Sequence, residues 1–362
     1  MDMMTVASAA TAGFLAIAPA NDALTFARSI DVGTYHLILV SDYDADHVTG
    51  VDITALLGPD ITDPLAAYKE MGYDALAALA QSKPVVTLPL SRLTMPVALN
   101  ASHIAVGTNF PEHARESTVT DGPFLFPKEV APTGFNTTIP KGDALLDYEV
   151  ELCFVTLVDT DISLPVERMG LVLCNDVTDR ARLMRHIDPS DVTSGKGFTT
   201  GKSAPGYMPL GNLFVIPRDL RRFVSQVELR LYRNGALKQS ANQTEAIWDF
   251  DELLRQTLSR QPLTWAYQGK QVGLPIADNV IPARTGILAG TPDGTIFKGV
   301  NKSAYAVGVL NWLVGGWWKP VTHWVIEHHI AQERRARTYL QPGETVHIKV
   351  DYLGELKNPI VE

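Results

Sequence analysis

The sequence predicts an α+β protein built around a mixed, largely antiparallel β-sheet. Beyond Ile104 the chain is a series of short apolar segments separated by turns that contain Gly or Pro, and helical periodicity is confined to a few stretches. A doubly wound parallel sheet would need a helix between most successive strands, and this chain has too few helical stretches. The predicted strands span residues 148–158, 169–177, 212–216, 226–233, 286–290 and 344–351, and the predicted helices span residues 113–118, 178–186, 249–260 and 320–338.

The composition is that of a globular protein, and the charge excludes one class of partner. The 362 residues suffice for one large domain or two moderate ones, and 46% hydrophobic with 20% charged residues argues against disorder. A formal net charge of -9 without a long basic run argues against a nucleic acid partner. The two cysteines, Cys153 and Cys174, lie in separate apolar segments, so we expect buried free thiols in a reducing compartment.

Residues 1–23 form an apolar extension rich in small residues. The stretch has no Lys or Arg before Arg28, and it therefore lacks the positive region that begins a secretory signal peptide. We expect a cytoplasmic protein with a loose N-terminal extension. A secretory or organellar leader is the alternative.

Residues 24–95 are predicted to form a small N-terminal α+β domain. Strand-like apolar runs at 35–40 and 48–56 flank an acidic turn at 42–46, which indicates a hairpin. The turn lacks the Gly and the distal Glu of an EF-hand calcium loop, so we interpret it as a solvated turn.

The first helix and the domain boundary follow this hairpin. Ala and Leu recur at helical spacing over residues 64–81, which predicts an amphipathic helix. A stretch punctuated by Pro, residues 83–96, then marks the junction to a second unit. We expect this second unit, residues 96–362, to carry the function.

A short predicted helix after Asn109 carries a His and a Glu on one face. Pro111 suits the first turn of this helix, and His113 and Glu116 are spaced i, i+3. A Glu that contacts a His ring fixes its tautomer and raises its basicity, as a general base requires. The alternative is a solvated helix face, because exposed His–Glu pairs are common on helices.

Two carboxylates stand two residues apart within an apolar, strand-like run. Successive side chains of a strand point to opposite faces, so Glu149 and Glu151 point the same way, ~7 Å apart along the chain. A hard divalent cation held by carboxylate oxygens would explain the pair. The other explanation is the wet face of a half-exposed antiparallel strand.

A third acid follows the next predicted strand. Asp176 ends the apolar run from residue 170 and precedes a helix-start signal, so it lies where a strand opens into a loop. With Glu149 and Glu151 it would complete a set of three oxygen ligands, which suits Mg²⁺ or Mn²⁺ better than zinc. Taken alone, Asp176 could equally be a helix N-cap.

The Gly-rich stretch at residues 195–203 superficially resembles a phosphate-binding loop. A Walker A motif needs a Gly five residues before Gly201, and position 196 is Lys. We therefore reject nucleotide binding. Lys202 is instead interpreted as a cation for a substrate carboxylate or a developing enolate.

The order of these motifs resembles the fumarylacetoacetate hydrolase superfamily. The resemblance covers roughly residues 100–296 and 340–360 and rests on several ordered motifs together. Those motifs are Asn109-Phe110 with His113 and Glu116, Asp147 to Leu152, Asn175 to Thr178, Gly201-Lys202-Ser203, Gly290 to Gly294, and the closing pair of stretches Pro342 to Val346 and Gly354 to Asn358. It implies a β-sheet roll of that family's C-terminal type.

The resemblance also implies a role for each candidate residue. Glu149, Glu151 and Asp176 would bind Mg²⁺ or Mn²⁺. His113 and Glu116 would form a catalytic dyad that activates water. Lys202 would be the catalytic lysine, and Arg180 and Thr291 would bind the substrate.

The chain departs from the resemblance most clearly at residues 297–339, which we call the Trp-rich segment. It contains four of the six tryptophans, and its apolar half, residues 304–318, is too short to cross a bilayer, so we expect no transmembrane segment. Pro320 indicates the start of an amphipathic helix. We expect the segment to form a dimer interface or a cover over the active site, with attachment to a membrane surface as the third possibility.

The activity implied by the resemblance is metal-dependent hydrolysis of a carbon–carbon bond in a 2,4-dioxo acid of the acylpyruvate or fumarylacetoacetate type. A lyase or isomerase acting on a 2-oxo acid, such as a sugar-acid dehydratase or an oxaloacetate decarboxylase, is the first alternative. A non-catalytic ligand-binding protein is the second. The expected partners are a small 2-oxo acid and a second copy of the chain in a homodimer.

Overall fold

The computed structural model describes residues 15–82, 85–119 and 121–362, and it confirms the α+β class. The first fourteen residues of the predicted extension lie outside the described residues. The strands are β1 (Ala23–Asp31), β2 (Thr34–Tyr43), β3 (His47–Asp52), β4 (Val86–Pro89), β5 (Ser102–Gly107), β6 (Phe124–Glu129), β7 (Ile139–Pro140), β8 (Leu146–Asp147), β9 (Val150–Val155), β10 (Thr160–Asp161), β11 (Gly170–Asn175), β12 (Thr178–Asp179), β13 (Leu210–Pro217), β14 (Glu228–Arg233), β15 (Ala236–Asn242), β16 (Thr264–Tyr267), β17 (Lys270–Gly273), β18 (Val280–Ile281), β19 (Gly286–Leu288), β20 (Thr345–Val350) and β21 (Gly354–Val361). The helices are α1 (Ile53–Leu57), α2 (Pro64–Leu79), α3 (Pro111–Glu116), α4 (Arg180–His186), α5 (Phe198–Lys202), α6 (Leu220–Val224), α7 (Phe250–Ser259), α8 (Lys302–Asn311) and α9 (Val321–Ala336).

A ten-stranded sheet forms the centre of the molecule. Its strand order is β4-β3-β2-β1-β13-β11-β9-β19-β5-β6, and every neighbouring pair is antiparallel except β19 and β5. A second sheet, with the order β15-β14-β20-β21-β7, is antiparallel except where β21 meets β7. The mixed, largely antiparallel arrangement is the one that the scarcity of helices predicts.

The central strands β9 and β11 are buried along their whole lengths. Both are nearly continuous apolar runs, as expected for strands covered on both faces. In their antiparallel ladder Asn175 pairs with Val150, and the amide of Asp176 donates to the carbonyl of Glu149 over 2.9 Å. The ladder therefore brings the acids at the start of β9 to the acid that follows β11.

The cysteines differ from our expectation. Cys153 and Cys174 form a disulfide, with their Cα atoms 6.2 Å apart, rather than two free thiols. In the β9–β11 register Val172 faces Cys153, so Cys174 stands diagonally across from it and within bridging reach. The expectation failed because sequence spacing does not give strand register.

The N-terminal strands continue the central sheet. The acidic turn joins β2 to β3 in the predicted hairpin, and Asp63 caps α2 by accepting from the Leu65 amide. β1 pairs with β13, for example Leu24 with Ile216, so hydrogen bonding crosses the predicted boundary at residue 95. The division into two domains stays a prediction.

The Trp-rich segment folds as a pair of helices. A π-helical turn, Trp312–Gly316, follows α8 and leads through residues 317–320 into α9, and the indole nitrogen of Trp324 donates to the carbonyl of Gly316 over 2.8 Å. Arg185 of α4 makes a bidentate pair with Glu327 of α9, at 2.7 and 2.8 Å, which ties the segment to the body. In the part of the chain that the structure describes, no helix is long and apolar enough to span a membrane.

Candidate active site

Three carboxylates converge where β9 and β11 meet. Glu149, Glu151 and Asp176 are each at most 4% exposed, and one oxygen of each lies within 4.8 Å of the others. Full burial excludes the wet strand face that the sequence left open for the glutamates. The structure therefore brings together the three residues predicted to bind a metal.

Lys202 lies against two of these carboxylates. It ends α5, and its Nζ donates to Glu149 over 2.6 Å, to Asp176 over 2.7 Å and to the Thr178 hydroxyl over 2.7 Å. Burial lowers the pKa of Lys202, but Asp176 and Glu149 outweigh burial and raise it above its ordinary value. Lys202 is consequently a charged group at the triad.

A second buried lysine, Lys128 of β6, was not identified from the sequence. It is fully buried, and its Nζ donates to Asp176 over 2.6 Å and to the carbonyl oxygen of Lys202. Burial lowers its pKa, with Asp176 acting in the opposite direction. A Lys within the apolar run Phe124–Glu129 was the signal that could have revealed it, because buried lysines are rare unless paired.

Arg180, which we expected to bind the substrate, forms ion pairs with two acids. Its Nε donates to Asp147 over 2.8 Å, and a terminal nitrogen donates to Glu149 over 2.5 Å. Asp147 also accepts from the amides of Ile296 and Phe297, over 2.8 and 3.1 Å. Arg180 thus connects the metal-binding glutamate to the start of the Trp-rich segment, and Asp147 is a second residue whose role the sequence analysis did not identify.

The charge balance of the triad supports a bound cation. Among the described residues Glu151 forms no ion pair, and it accepts one hydrogen bond, from the Gly290 amide over 2.7 Å. Burial, Asp176 and Glu149 all raise its pKa well above the ordinary value. An oxygen-only set with one uncompensated carboxylate fits Mg²⁺ or Mn²⁺, which would supply the missing positive charge.

His113 and Glu116 form the predicted pair on α3. His113 Nδ1 lies 3.3 Å from Glu116 Oε2, and burial lowers the pKa of His113 to about 4, so the ring is neutral near pH 7. The Glu116 carboxylate accepts from the Gly294 amide and the Thr295 hydroxyl and forms an ion pair with Lys298. The pair is therefore a buried base with an anchored carboxylate, rather than a solvated helix face.

A cavity of about 320 Å³ opens onto these groups. Five of the predicted site residues line it, namely His113, Glu149, Arg180, Lys202 and Thr291. The Thr291 hydroxyl accepts from Gln239 over 2.9 Å. The Trp-rich segment lines the cavity as well, through residues of both α8 and α9.

Comparison with known proteins places this site in a family. The model of the fumarylacetoacetate (FAA) hydrolase C-terminal domain matches residues 102–361. The chain belongs to the fumarylacetoacetate hydrolase family. All eight predicted site residues lie within the matched region.

Two curated relatives of the same family and one solved structure illustrate its range. The chain is 23% identical over 326 residues to an oxaloacetate tautomerase, mitochondrial, of Xenopus laevis, covering 86% of this chain and 82% of the relative. It is 27% identical over 164 residues to an oxaloacetate decarboxylase, mitochondrial, of Dictyostelium discoideum, covering 42% of this chain and 71% of the relative. The fumarylacetoacetate hydrolase of Exiguobacterium antarcticum shares the fold, with a TM-score of 0.57, 20% identity and coverage of 93% and 99%.

These comparisons confirm the family and the fold, and they support enzymatic function. Hydrolysis, which we expected first, is not what the curated relatives are named for; tautomerase and decarboxylase names fit the lyase or isomerase alternative. Both relatives are mitochondrial by name. The cytoplasmic location of this chain, with a leader as the alternative, stays a prediction.

Proposed function

We propose that this protein is a divalent-metal-dependent isomerase that interconverts the keto and enol forms of a 2-oxo acid. One observation carries the proposal: the neutral base His113 lines the same cavity as Glu149, which belongs to a buried, oxygen-only carboxylate triad. The names of the tautomerase and decarboxylase relatives support it, because both reactions pass through an enol or enolate of a 2-oxo acid.

Each residue of the site has a separate role in this reaction. Glu149, Glu151 and Asp176 would hold a divalent ion, which would supply the Lewis-acid chemistry that acidifies the protons on carbon 3 of a 2-oxo acid. His113 accepts one of these protons at a ring nitrogen, because its neutral form is a base. Glu116 stabilises the resulting imidazolium, and the charged Lys202 stabilises the developing enolate oxygen.

In this proposal Thr291 contacts the substrate directly, and Arg180 orients it through Glu149. The Thr291 hydroxyl lines the cavity and can donate to a substrate carboxylate while it accepts from Gln239. Arg180 acts mainly by holding Glu149 in place. Transfer of this proton from the His113 imidazolium to the enolate oxygen gives the enol, and the reverse sequence returns the proton to carbon 3 and regenerates the keto form.

Hydrolysis of a 2,4-dioxo acid is the second candidate. The cavity extends from His113 to α8 and α9, which leaves room for a distal ketone and its substituent. The same base would then deprotonate a water molecule, and carbon–carbon cleavage would leave an enolate at the triad. The two candidates differ in whether solvent oxygen enters a product.

Proton exchange at carbon 3 tests the proposal. A 2-oxo acid incubated in D₂O with the protein and Mg²⁺ should lose its carbon-3 proton signal in the NMR spectrum, and EDTA or His113→Gln should abolish the enzymatic rate. Exchange that survives both treatments would refute the proposal. Incorporation of ¹⁸O from water into a product carboxylate would instead establish hydrolysis, and release of carbon dioxide would establish decarboxylation.

The proposal extends to the metal and the oligomeric state. The all-oxygen ligand set supports Mg²⁺ or Mn²⁺ rather than a softer metal. Exposed apolar side chains of the Trp-rich segment, among them Leu313, Val314, Trp317 and Trp318, support a homodimer that covers them. Sedimentation velocity at micromolar concentration should give the mass of two chains; a monomer would exclude this part of the proposal.

A further inference from the structure

We infer that the substrate carries an uncharged, apolar group at its distal end, and that the Trp-rich segment selects for it. The inference rests on the proposed function, since it assumes a 2-oxo acid head at the triad. It concerns the opposite end of the same cavity, and no relative's name indicates such a substrate.

The walls of the cavity away from the triad are apolar. From the body of the protein, Leu183, Met184 and Phe198 contribute to them. From the Trp-rich segment, Val309, Val325 and Ile326 close the other side. An alkyl or aryl group between these two walls would gain about 25 cal/mol for each Å² of apolar surface removed from water.

No cation on these walls is free to pair with a second carboxylate. Of the described residues that line the cavity, Arg180 and Lys202 carry positive charge, and both are bonded to the acids at the triad end. His113 is neutral because burial lowers its pKa to about 4. Lys298, which follows the lining residue Phe297, does not itself line the cavity and pairs with Glu116.

The polar groups on the walls are hydroxyls. The Thr322 hydroxyl can donate a hydrogen bond to a ketone or an ether, but it does not compensate a full negative charge. The hydroxyls of Ser117 and Thr118 already donate to the backbone carbonyls of His113 and Ser117. A carboxylate buried without a cation is strongly penalised. A dicarboxylate such as oxaloacetate therefore matches the walls poorly, even though the curated relatives are named for it.

The volume sets the size of the distal group. At about 30 Å³ for each water-sized group, about 320 Å³ holds roughly ten such groups. The carboxylate, the 2-oxo group and carbon 3 account for six non-hydrogen atoms. The remaining space suits an apolar arm of about four carbons.

Binding of substrate mimics that cannot enolise tests the inference separately from catalysis. N-alkyl oxamates keep the chelating carboxylate and carbonyl and replace carbon 3 by nitrogen. With Mn²⁺ present, calorimetry on the full chain should show affinity rising about fourfold per methylene from N-methyl to N-butyl. N-(3-carboxypropyl) oxamate, which has the same reach but ends in a carboxylate, should bind at least tenfold more weakly than N-butyl oxamate. Equal or tighter binding of the carboxylate-ended mimic would overturn the inference.

A matched pair of lysine variants tests whether the α8 wall of the cavity determines the selectivity for the distal group. Val309 lines the cavity on α8 and is 43% exposed, whereas the neighbouring Leu310 is 56% exposed and is not part of the lining. Val309→Lys should reverse the preference toward the carboxylate-ended mimic, and Leu310→Lys should leave it unchanged. If Val309→Lys does not fold by circular dichroism, Val309→Thr should still weaken N-butyl oxamate severalfold. An unchanged preference in a folded Val309 variant would contradict the assignment of the wall.

The results separate the two proposals. If the oxamates bind with the predicted order but no 2-oxo acid exchanges its carbon-3 proton, the isomerase proposal fails and the apolar wall stands. If exchange occurs with oxaloacetate as readily as with 2-oxooctanoate, the apolar-arm inference fails and the isomerase proposal stands. Failure of every oxamate to bind in the presence of Mn²⁺ overturns the inference.

Discussion

At the scale of single residues, the three carboxylates of the triad are in unequal environments. Asp176 pairs with Lys128 and Lys202, and Glu149 pairs with Lys202 and Arg180. Glu151 has no such partner among the described residues, and burial beside the other two acids raises its pKa. The folded chain thus already compensates two ligands, and the third is the carboxyl whose charged form a bound divalent ion would stabilise.

Neutral variants of two ligands should separate metal binding from folding. Glu151→Gln should keep the stability of the metal-free protein and lose the rise in melting temperature that Mn²⁺ produces, because the carboxyl is already predisposed to be uncharged.

Asp176→Asn should lower the free energy of unfolding by about 3–5 kcal/mol, because Lys128 and Lys202 lose a buried partner. Thermal and urea denaturation with and without Mn²⁺ measure both. Equal destabilisation by the two variants would show that Glu151 is charged without metal.

The pH dependence of the reaction should reflect the buried state of His113. Burial lowers its pKa to about 4, and the neutral, basic form is present above that value. With saturating Mn²⁺, kcat/KM should therefore stay constant from pH 8 to about 5 and fall only as the pH approaches 4. The profile is measured by proton exchange, with metal occupancy checked by melting temperature at each pH. An acid limb near 6.5, the ordinary value for His, would show that the ring is solvated.

At the scale of elements, the helical pair α8–α9 determines the shape of the cavity. Gly308 allows the two helices to approach closely, since a Cβ at this position would lie 2.6 Å from the Val325 amide nitrogen. Val325 itself lines the cavity. Close contact between the two helices therefore sets the position of the apolar wall.

Gly308→Ala should loosen this helical pair without unfolding the body. The backbone of Val325 must move to admit the methyl group, and overpacking of this kind costs about 1–3 kcal/mol. Amide hydrogen exchange should rise across residues 302–336 and stay unchanged in β11, and N-butyl oxamate should bind more weakly. Gly273→Ala is the control, because its Cβ would meet only the Leu263 carbonyl oxygen at 3.6 Å. Equal exchange in the two variants would argue against close packing at Gly308.

At the scale of the whole molecule, one sheet joins the N-terminal strands to those that carry the site. β13 lies between β1 and β11, and all eight of its residues are buried. Removal of the N-terminal strands would leave β13 as a long, apolar edge strand, which promotes aggregation. The two predicted domains should therefore unfold together.

Truncation tests this cooperativity. A chain of residues 96–362 should be insoluble or should lack a cooperative unfolding transition, whereas a chain of residues 15–362, which keeps every strand that the structure describes, should unfold cooperatively. Circular dichroism during heating measures both. A soluble 96–362 fragment with the melting temperature of the longer chain would establish an independent catalytic domain.

The sequence predicted most of the secondary structure and much of the site. Apolar runs and helical spacing located β9, β11, α3 and α9 to within a few residues, because these patterns depend on neighbouring residues alone. The family resemblance then supplied the ligand and base candidates. Five of the eight candidate residues line one cavity, and the other three contact or cluster with those five. Burial of the glutamates and the low pKa of His113 needed the folded chain.

Residue type and local spacing by themselves determined which groups are available for chemistry: three acids at strand ends, a His–Glu pair one helical turn apart and a lysine at a helix end. The tertiary structure alone decided how these groups compensate each other, which cysteines meet and what the cavity accepts. Lys128 lies 48 residues from Asp176, and Phe297 and Leu183 line one cavity from distant parts of the chain. Such contacts depend on strand register and on the docking of the Trp-rich segment, and no local pattern in the sequence encodes either.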